Sequence, residues 1–92
     1  MNSVGLRLQI TGVVQGVGYR YYCYQKASQL ELSGWVRNRP GGMVEVLAEG
    51  NRGALEILIE ELKVGPSMAD VRHIEIEWLK FTGDHTSFNV TG

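Results

Sequence analysis

Apolar and polar residues alternate in several short segments of the chain, and elsewhere apolar residues recur every three or four positions. In residues 6–11 every second side chain is apolar, which is typical of a strand with one buried face. In residues 55–62 leucine and isoleucine recur at helical spacing, which predicts an amphipathic helix. The predicted elements are a strand at 6–11, a helix at 20–32, strands at 35–38 and 44–49, a helix at 55–62, and strands at 71–81 and 87–91.

This order of elements, β-α-β-β-α-β followed by one short strand, predicts an α+β protein. It fits the ferredoxin-like split βαββαβ plan, in which two helices pack on one face of an antiparallel sheet. Ser33-Gly34 is expected to end the first helix, and Pro40-Gly41-Gly42 is expected to close a hairpin. A length of 92 residues fits one domain over residues 1–92. Because this plan hosts many activities, the function has to be inferred from a site.

Composition narrows the classes of function. The formal net charge of −1 argues against a basic nucleic-acid interface. No apolar run approaches the roughly 20 residues of a membrane helix, and residues 1–5 carry no feature of a secretion signal. The single cysteine, Cys23, cannot form an internal disulfide, so a cytoplasmic protein is expected. No Cys/His cluster has the spacing of metal ligands, and we expect neither metal nor cofactor.

The glycine-rich stretch from Gly12 to Arg20 is the strongest chemical signal in the chain. Its glycines allow positive φ, and successive N–H groups in such a loop can surround an anion. The helix that follows adds the positive end of its dipole, and Arg20 adds a planar fork of donors suited to phosphate oxygens. The stretch lacks the Gly-Lys-Ser/Thr of a P-loop and the third glycine of a dinucleotide fingerprint. A cradle for one phosphate group is therefore predicted.

A second segment, Gly34-Trp35-Val36-Arg37-Asn38, ends the second strand. In the split plan the strands carrying the two segments flank one common neighbour, so Asn38 is expected to approach the loop from the sheet. Its amide can accept from a water and donate to an anion at once. The loop, this segment and the later Gly42-x-Val44-Glu45-Val46 together resemble the acylphosphatase family over nearly the whole chain.

The resemblance implies a monomeric hydrolase that cleaves the carboxyl–phosphate bond of acyl phosphates without metal or cofactor. It implies that Arg20 and the loop amides hold the phosphoryl group and that Asn38 orients the attacking water. A small acyl phosphate is then the expected partner, with neither nucleic acid nor membrane. The amides expected to bind phosphate are those of Gln15, Gly16, Val17, Gly18 and Tyr19.

The chemistry of the reaction agrees with so small a set of residues. A departing carboxylate has a parent pKa of about 4 and needs no acid, whereas an alkoxide leaving group calls for a metal or a proton donor. Neither is evident near the two motifs, which favours the activated substrate. The substrate's own phosphate oxygen is the expected acceptor of the water's proton.

Three alternatives stay open at this point. The first is a domain that holds phosphate or an acyl phosphate without turnover, the second is a domain that binds RNA on its sheet, and the third is a part of a larger carbamoyl-transfer protein. The RNA alternative lacks an aromatic pair on the central strands, and a free-standing protein is expected because the sequence ends soon after the last strand. Arg37 and Arg39 are expected to face solvent, and Cys23 is expected to pack in the core. The C-terminal residues lack the basic or aromatic ending of many family members, which leaves the anchoring of the last strand open.

Overall fold

A computed structural model describes residues 2–92. Met1, part of the segment examined for a secretion signal, lies outside the described residues. The order of strands and helices is the one that the sequence predicts. In chain order the elements are β1 (Ser3–Val13), α1 (Tyr19–Gln29), β2 (Ser33–Arg39), β3 (Met43–Asn51), α2 (Arg52–Val64), β4 (Asp70–Leu79) and β5 (Phe88–Thr91).

The five strands form one sheet in the order β4-β1-β3-β2-β5. The four longer strands pair antiparallel with one another, as predicted, but β5 runs parallel to β2 and makes the sheet mixed. The difference arises because residues 80–87 carry the chain across the end of the sheet to the start of β2. The chain enters the sheet there, with Phe88 opposite Gly34, and then runs in the same direction as β2.

The core lies between the sheet and the two helices. Alternate residues of the central strands face the helices, which is the pattern that the sequence shows. Ile74, Ile76 and Trp78 pair with the core residues of β1 and share their face, although Ile76 stays 42% exposed on the edge strand. Fully buried apolar side chains come from β1 (Leu6, Leu8, Ile10), β3 (Val44, Val46, Ala48), α1 (Tyr19, Cys23, Ala27) and α2 (Leu55, Leu58, Leu62), with β2 adding Val36.

Helix α1 ends at Gln29, earlier than predicted. Glu31 adopts a left-handed conformation with φ of 58°, and the backbone N–H of Leu32 donates to the carbonyl of Ala27 at 2.9 Å. The N–H of Glu31 donates to the carbonyl of Ser28, which completes a Schellman-type helix end. The prediction that Ser33-Gly34 ends the helix was therefore wrong: Ser33 begins β2. The sequence does not indicate this helix end, because a left-handed residue after a helix is usually glycine and here it is glutamate.

None of the helices described over residues 2–92 is long and apolar enough to cross a membrane.

Candidate active site

The glycine-rich loop connects β1 to α1 and leaves the start of the helix open. Gly16 and Gly18 have φ of 75° and 79°, in the left-handed region that favours glycine. A Cβ added at either would meet no described atom within 4 Å, so conformation and not crowding requires glycine there. Gly18 caps α1 without any side-chain hydrogen bond from the described part of the chain. The first N–H groups of the helix are thus available to an anion.

A cavity of about 380 Å³ opens above this loop. It brings together five of the predicted site residues, since Gly16, Gly18, Tyr19, Arg20 and Asn38 all line it. Val14, Tyr21 and Val90 complete the lining with largely apolar surface. The predicted loop and the end of β2 therefore meet at one place, as expected from the sheet order.

Arg20 and Asn38 donate hydrogen bonds to the same backbone oxygen, that of Gly92. Nη1 of Arg20 donates to the carbonyl oxygen of Gly92 at 2.8 Å, and the backbone N–H of Asn38 donates to the same oxygen at 3.4 Å. This contact uses one of the five donors of the guanidinium and leaves the others for a ligand. The open question of the last strand is also answered, because β5 pairs with β2 and buries Phe88 to 5% exposure.

The side-chain oxygen of Asn38 is an acceptor without a partner. Asn38 pairs with Val44 of β3 in the sheet and lines the cavity. Its Oδ1 atom is buried and has no hydrogen-bond partner among residues 2–92. Buried polar atoms are almost always hydrogen-bonded, so an unpaired acceptor at a cavity wall needs an explanation. A water molecule or a ligand that donates a hydrogen bond would satisfy it.

Gln15 and Val17 do not line the cavity, although they belong to the predicted loop. The Gln15 side chain turns to the β2–β3 hairpin, where Nε2 donates to the carbonyls of Arg39 at 2.9 Å and Met43 at 2.8 Å. The Val17 side chain is half-buried against the core. For these two residues the prediction concerned their backbone amides, and it stays a prediction.

Two titratable side chains of α1, those of Tyr19 and Cys23, are buried and stay protonated. The Tyr19 hydroxyl donates to the carbonyl of Leu62 at 2.7 Å and fixes the start of α1 against α2. Burial raises the pKa of the Tyr19 phenol, with smaller contributions from Cys23 and Tyr22, so the phenol stays neutral. Burial also raises the pKa of the Cys23 thiol, which stays protonated in the core as expected.

The arginines on either side of Asn38 point away from the cavity. Arg37 and Arg39 lie on the opposite face of β2, half-exposed, and bind the buried Glu45 carboxylate at 2.8 and 3.3 Å. Among the side chains described around the cavity, Arg20 alone carries a positive charge. Within residues 2–92, no group of three or more His, Cys, Asp or Glu side chains is arranged to hold a metal ion.

Sequence reasoning missed Tyr21, Val90 and Gly92 as parts of this site. Tyr21 follows Arg20 directly, but nothing in the spacing indicates that it lines a cavity. Val90 and Gly92 reach the site only because β5 pairs with β2, which no local pattern reveals.

Comparison with known proteins identifies the family of this chain. The acylphosphatase family model matches residues 6–90. The chain belongs to the acylphosphatase family. It is therefore an enzyme of that class, and the resemblance noted from the sequence is confirmed.

Individual relatives agree with the family match. The chain is 49% identical to an acylphosphatase of Acaryochloris marina over 76 residues, which cover 83% of this chain and 82% of that protein. Its fold is similar to the crystal structure of acylphosphatase from Bacillus subtilis, with a TM-score of 0.94, 36% identity and coverage of 97% and 99% of the two chains. It is also similar to part of full-length HypF, with a TM-score of 0.89 and 27% identity, covering 99% of this chain and 12% of that one. The acylphosphatase fold thus also occurs within a much longer protein.

Proposed function

We propose that Arg20, the loop amides and Asn38 carry out the acylphosphatase reaction of this protein. The oxygen of a water molecule attacks phosphorus, and the bond between phosphorus and the carboxylate oxygen breaks. The products are a carboxylate and inorganic phosphate. Residues 6–90 match the family model, and the described residues pack around one core, which supports a single acylphosphatase-like domain over residues 1–92.

The phosphoryl group binds between Arg20 and the N-terminus of α1. The left-handed Gly16 and Gly18 and the uncapped helix start support this assignment, because they leave N–H donors at a cavity wall. The backbone amides of Gln15 to Tyr19 and the guanidinium of Arg20 then stabilise the charge on the phosphoryl oxygens. In a loose phosphoryl-transfer transition state, positioning and charge stabilisation account for most of the catalysis.

Asn38 orients the attacking water. The observation that carries this proposal is the buried Oδ1 atom, which lacks a partner among the described residues and belongs to a residue that lines the cavity. A water that donates a hydrogen bond to Oδ1 is held with a lone pair free to attack phosphorus. Orientation of this kind accounts for a large part of many rate accelerations.

Proton transfer needs no further side chain. The carboxylate of the substrate leaves as an anion, since its parent pKa is about 4. A phosphoryl oxygen of the substrate accepts the proton of the attacking water. The side chains of Tyr19 and Cys23 take no part in proton transfer, because burial raises both of their pKa values and keeps them neutral.

Hydrolysis of acetyl phosphate tests these roles. We expect kcat to fall about 10²- to 10³-fold in Arg20→Ala and Asn38→Ala, and inorganic phosphate to inhibit Arg20→Ala less strongly. Arg20→Lys keeps a cation and should lose less. The matched controls are Arg72→Ala and Asn89→Ala, whose side chains are exposed on strands outside the cavity. They should keep wild-type activity.

Three outcomes would each remove one part of the proposal. Normal turnover and phosphate inhibition in Arg20→Ala would exclude its role in binding. Full activity in Asn38→Ala would exclude its role in orienting water. Loss of wild-type activity in a chelator would contradict the metal-free mechanism. Phosphate binding without any turnover by the wild type would instead indicate a non-catalytic binding module.

We also propose that the protein is a cytoplasmic monomer that acts without nucleic acid or membrane. The single cysteine supports a reducing compartment, because the chain has no internal disulfide to form. A molar mass by light scattering near 10.2 kDa at assay concentration is the expected result, and a dimer mass would contradict it.

A further inference from the structure

The Gln15 side chain joins the phosphate loop to the hairpin that carries Asn38. Its Nε2 atom donates two hydrogen bonds, to the carbonyl of Arg39 at 2.9 Å and to that of Met43 at 2.8 Å. Arg39 and Met43 are the last paired residues before the β2–β3 turn. One side-chain amide therefore binds both strands of the hairpin where they leave the sheet.

The turn beyond Arg39 and Met43 is exposed. Gly41 and Gly42 follow with φ of 86° and 80°, and a Cβ added at either would meet no described atom within 4 Å. The turn is thus exposed and rich in glycine, a composition that allows movement. Asn38 stands directly before Arg39, so any shift of this end of the hairpin moves Asn38 relative to the loop.

We infer that Gln15 is a positioning residue for the hydrolysis step. Its side chain fixes the distance between Asn38, which is on β2, and the phosphoryl group, which the loop and Arg20 hold. This inference rests on the proposed roles of Asn38 and Arg20. The positioning role belongs to the Gln15 side chain and not to its backbone amide, since Nε2 donates to the hairpin carbonyls and the residue does not line the cavity.

Because the loop binds phosphate and Asn38 orients the water in this proposal, a substitution of Gln15 should lower kcat more than it weakens phosphate binding. Arg20 and the loop amides lie on one continuous segment, so phosphate binding should survive a shift of the hairpin. Orientation of the water should not survive it, because Asn38 lies on the other side of the bridge. Displacements of about 1 Å in a reacting geometry cost on the order of 10²-fold in rate, and we expect a loss of at least about 10-fold in kcat.

The test combines Gln15→Met with Asn38→Ala. Methionine keeps the length of the side chain and removes both donors. We expect Gln15→Met to lower kcat for acetyl phosphate at least about 10-fold, while the inhibition constant of inorganic phosphate stays within about twofold. In the Asn38→Ala background the same substitution should have little further effect, because the water is already unoriented. Gln25→Met, on the exposed surface of α1, is the matched control and should resemble the wild type.

Each other result overturns the inference in a recognisable way. A Gln15→Met enzyme with wild-type kcat shows that the bridge has no role in the reaction. An equal loss of kcat with and without Asn38, or a phosphate inhibition constant that rises as far as kcat falls, indicates damage to the loop itself. Full activity of Asn38→Ala alone refutes the proposed role of Asn38, and the inference about Gln15 falls with it. A defective Asn38→Ala beside a normal Gln15→Met refutes the inference and leaves the proposed function intact.

Discussion

Glu49 ties the segment that follows β4 to the end of the sheet. This glutamate of β3 is only 3% exposed. Its Oε2 atom accepts from the backbone N–H and the hydroxyl of Thr82, both at 2.8 Å, and Oε1 accepts from the N–H of Gly83 at 3.0 Å. The segment held in this way leads to β5, which contributes Val90 to the cavity. Replacement of Glu49 by glutamine should therefore weaken the anchoring of this edge.

The hydrogen bonds of Glu49 determine how much free energy of unfolding is lost in Glu49→Gln. Glutamine has the same shape, but with its oxygen kept towards Thr82 its NH2 group faces the N–H of Gly83, so that hydrogen bond is lost. Hydrogen bonds to a charged group contribute about 1.5–3 kcal/mol each and neutral ones about 1 kcal/mol, so one bond is lost and the two to Thr82 are weakened. We expect Glu49→Gln to lower the free energy of unfolding by about 3 kcal/mol at pH 7. For a domain of this size that corresponds to a melting temperature lower by more than about 10 °C.

The same contacts give the stability a pH dependence of known sign. Burial raises the pKa of Glu49, but hydrogen bonds from Thr82 and Gly83 and the charge of His85 outweigh it, and the net pKa lies below the ordinary value. A carboxyl with a lowered folded pKa stabilises the fold above its unfolded pKa, which is about 4.3 for glutamate. This contribution is lost as the pH falls from there through the folded pKa. Glu49→Gln lacks this contribution at every pH.

Urea unfolding of wild type and Glu49→Gln between pH 7 and pH 3 checks both statements. The control is Glu56→Gln, because Glu56 on α2 is exposed and forms an ion pair with Arg52 at 3.5 Å. It should stay within about 0.5 kcal/mol of the wild type. The gap between wild type and Glu49→Gln should be largest at pH 7 and should narrow towards pH 3. A gap below about 0.5 kcal/mol at pH 7, or one that stays constant down to pH 3, would refute the reasoning.

Two further predictions follow from burial and backbone conformation. Gly34→Ala should lower the free energy of unfolding in urea by more than about 3 kcal/mol. Gly34 has φ of 137°, and a Cβ there would overlap the carbonyl oxygen of Leu47. The control is Gly53→Ala, because Gly53 lies in helix α2 and does not have positive φ. Cys23 should resist alkylation by iodoacetamide at pH 8 and react completely in urea, as measured by mass spectrometry, since burial raises its pKa. Rapid labelling of the native protein would contradict this prediction.

Local sequence patterns were sufficient to predict the helices, the strands and the core, but they did not predict the strand pairing at the edge of the sheet. The alternation in β1 and β3 and the helical spacing in α2 depend on neighbours a few residues apart, and those predictions are confirmed. The end of α1 depends on one glutamate in a left-handed conformation, which composition does not announce. The parallel pairing of β5 depends on contacts between residues far apart in sequence. It brings Val90 and Gly92 to the site, and nothing near those residues indicated it.

The two halves of the site depend on the fold in different ways. The loop and Arg20 are continuous in sequence, so the proposed phosphate-binding half needs only the connection from β1 to α1. Asn38 reaches the same cavity only through the register of the sheet. Ile10 of β1 and Asn38 of β2 both pair with Val44 of β3, on its two sides. With neighbouring strands about 4.8 Å apart, their backbones lie roughly 10 Å from each other.

That register depends on the burial of apolar side chains. Val36 and Asn38 share one face of β2, and Val36 is fully buried against the helices. A slip of one residue between β2 and β3 would expose Val36 and would turn Asn38 to the opposite face, where Arg37 and Glu45 now meet. Burial of one valine therefore selects the register that keeps Asn38 at the cavity. The proposed phosphate-binding half of the site is thus encoded locally, whereas the proposed water-orienting half is encoded by the hydrophobic core.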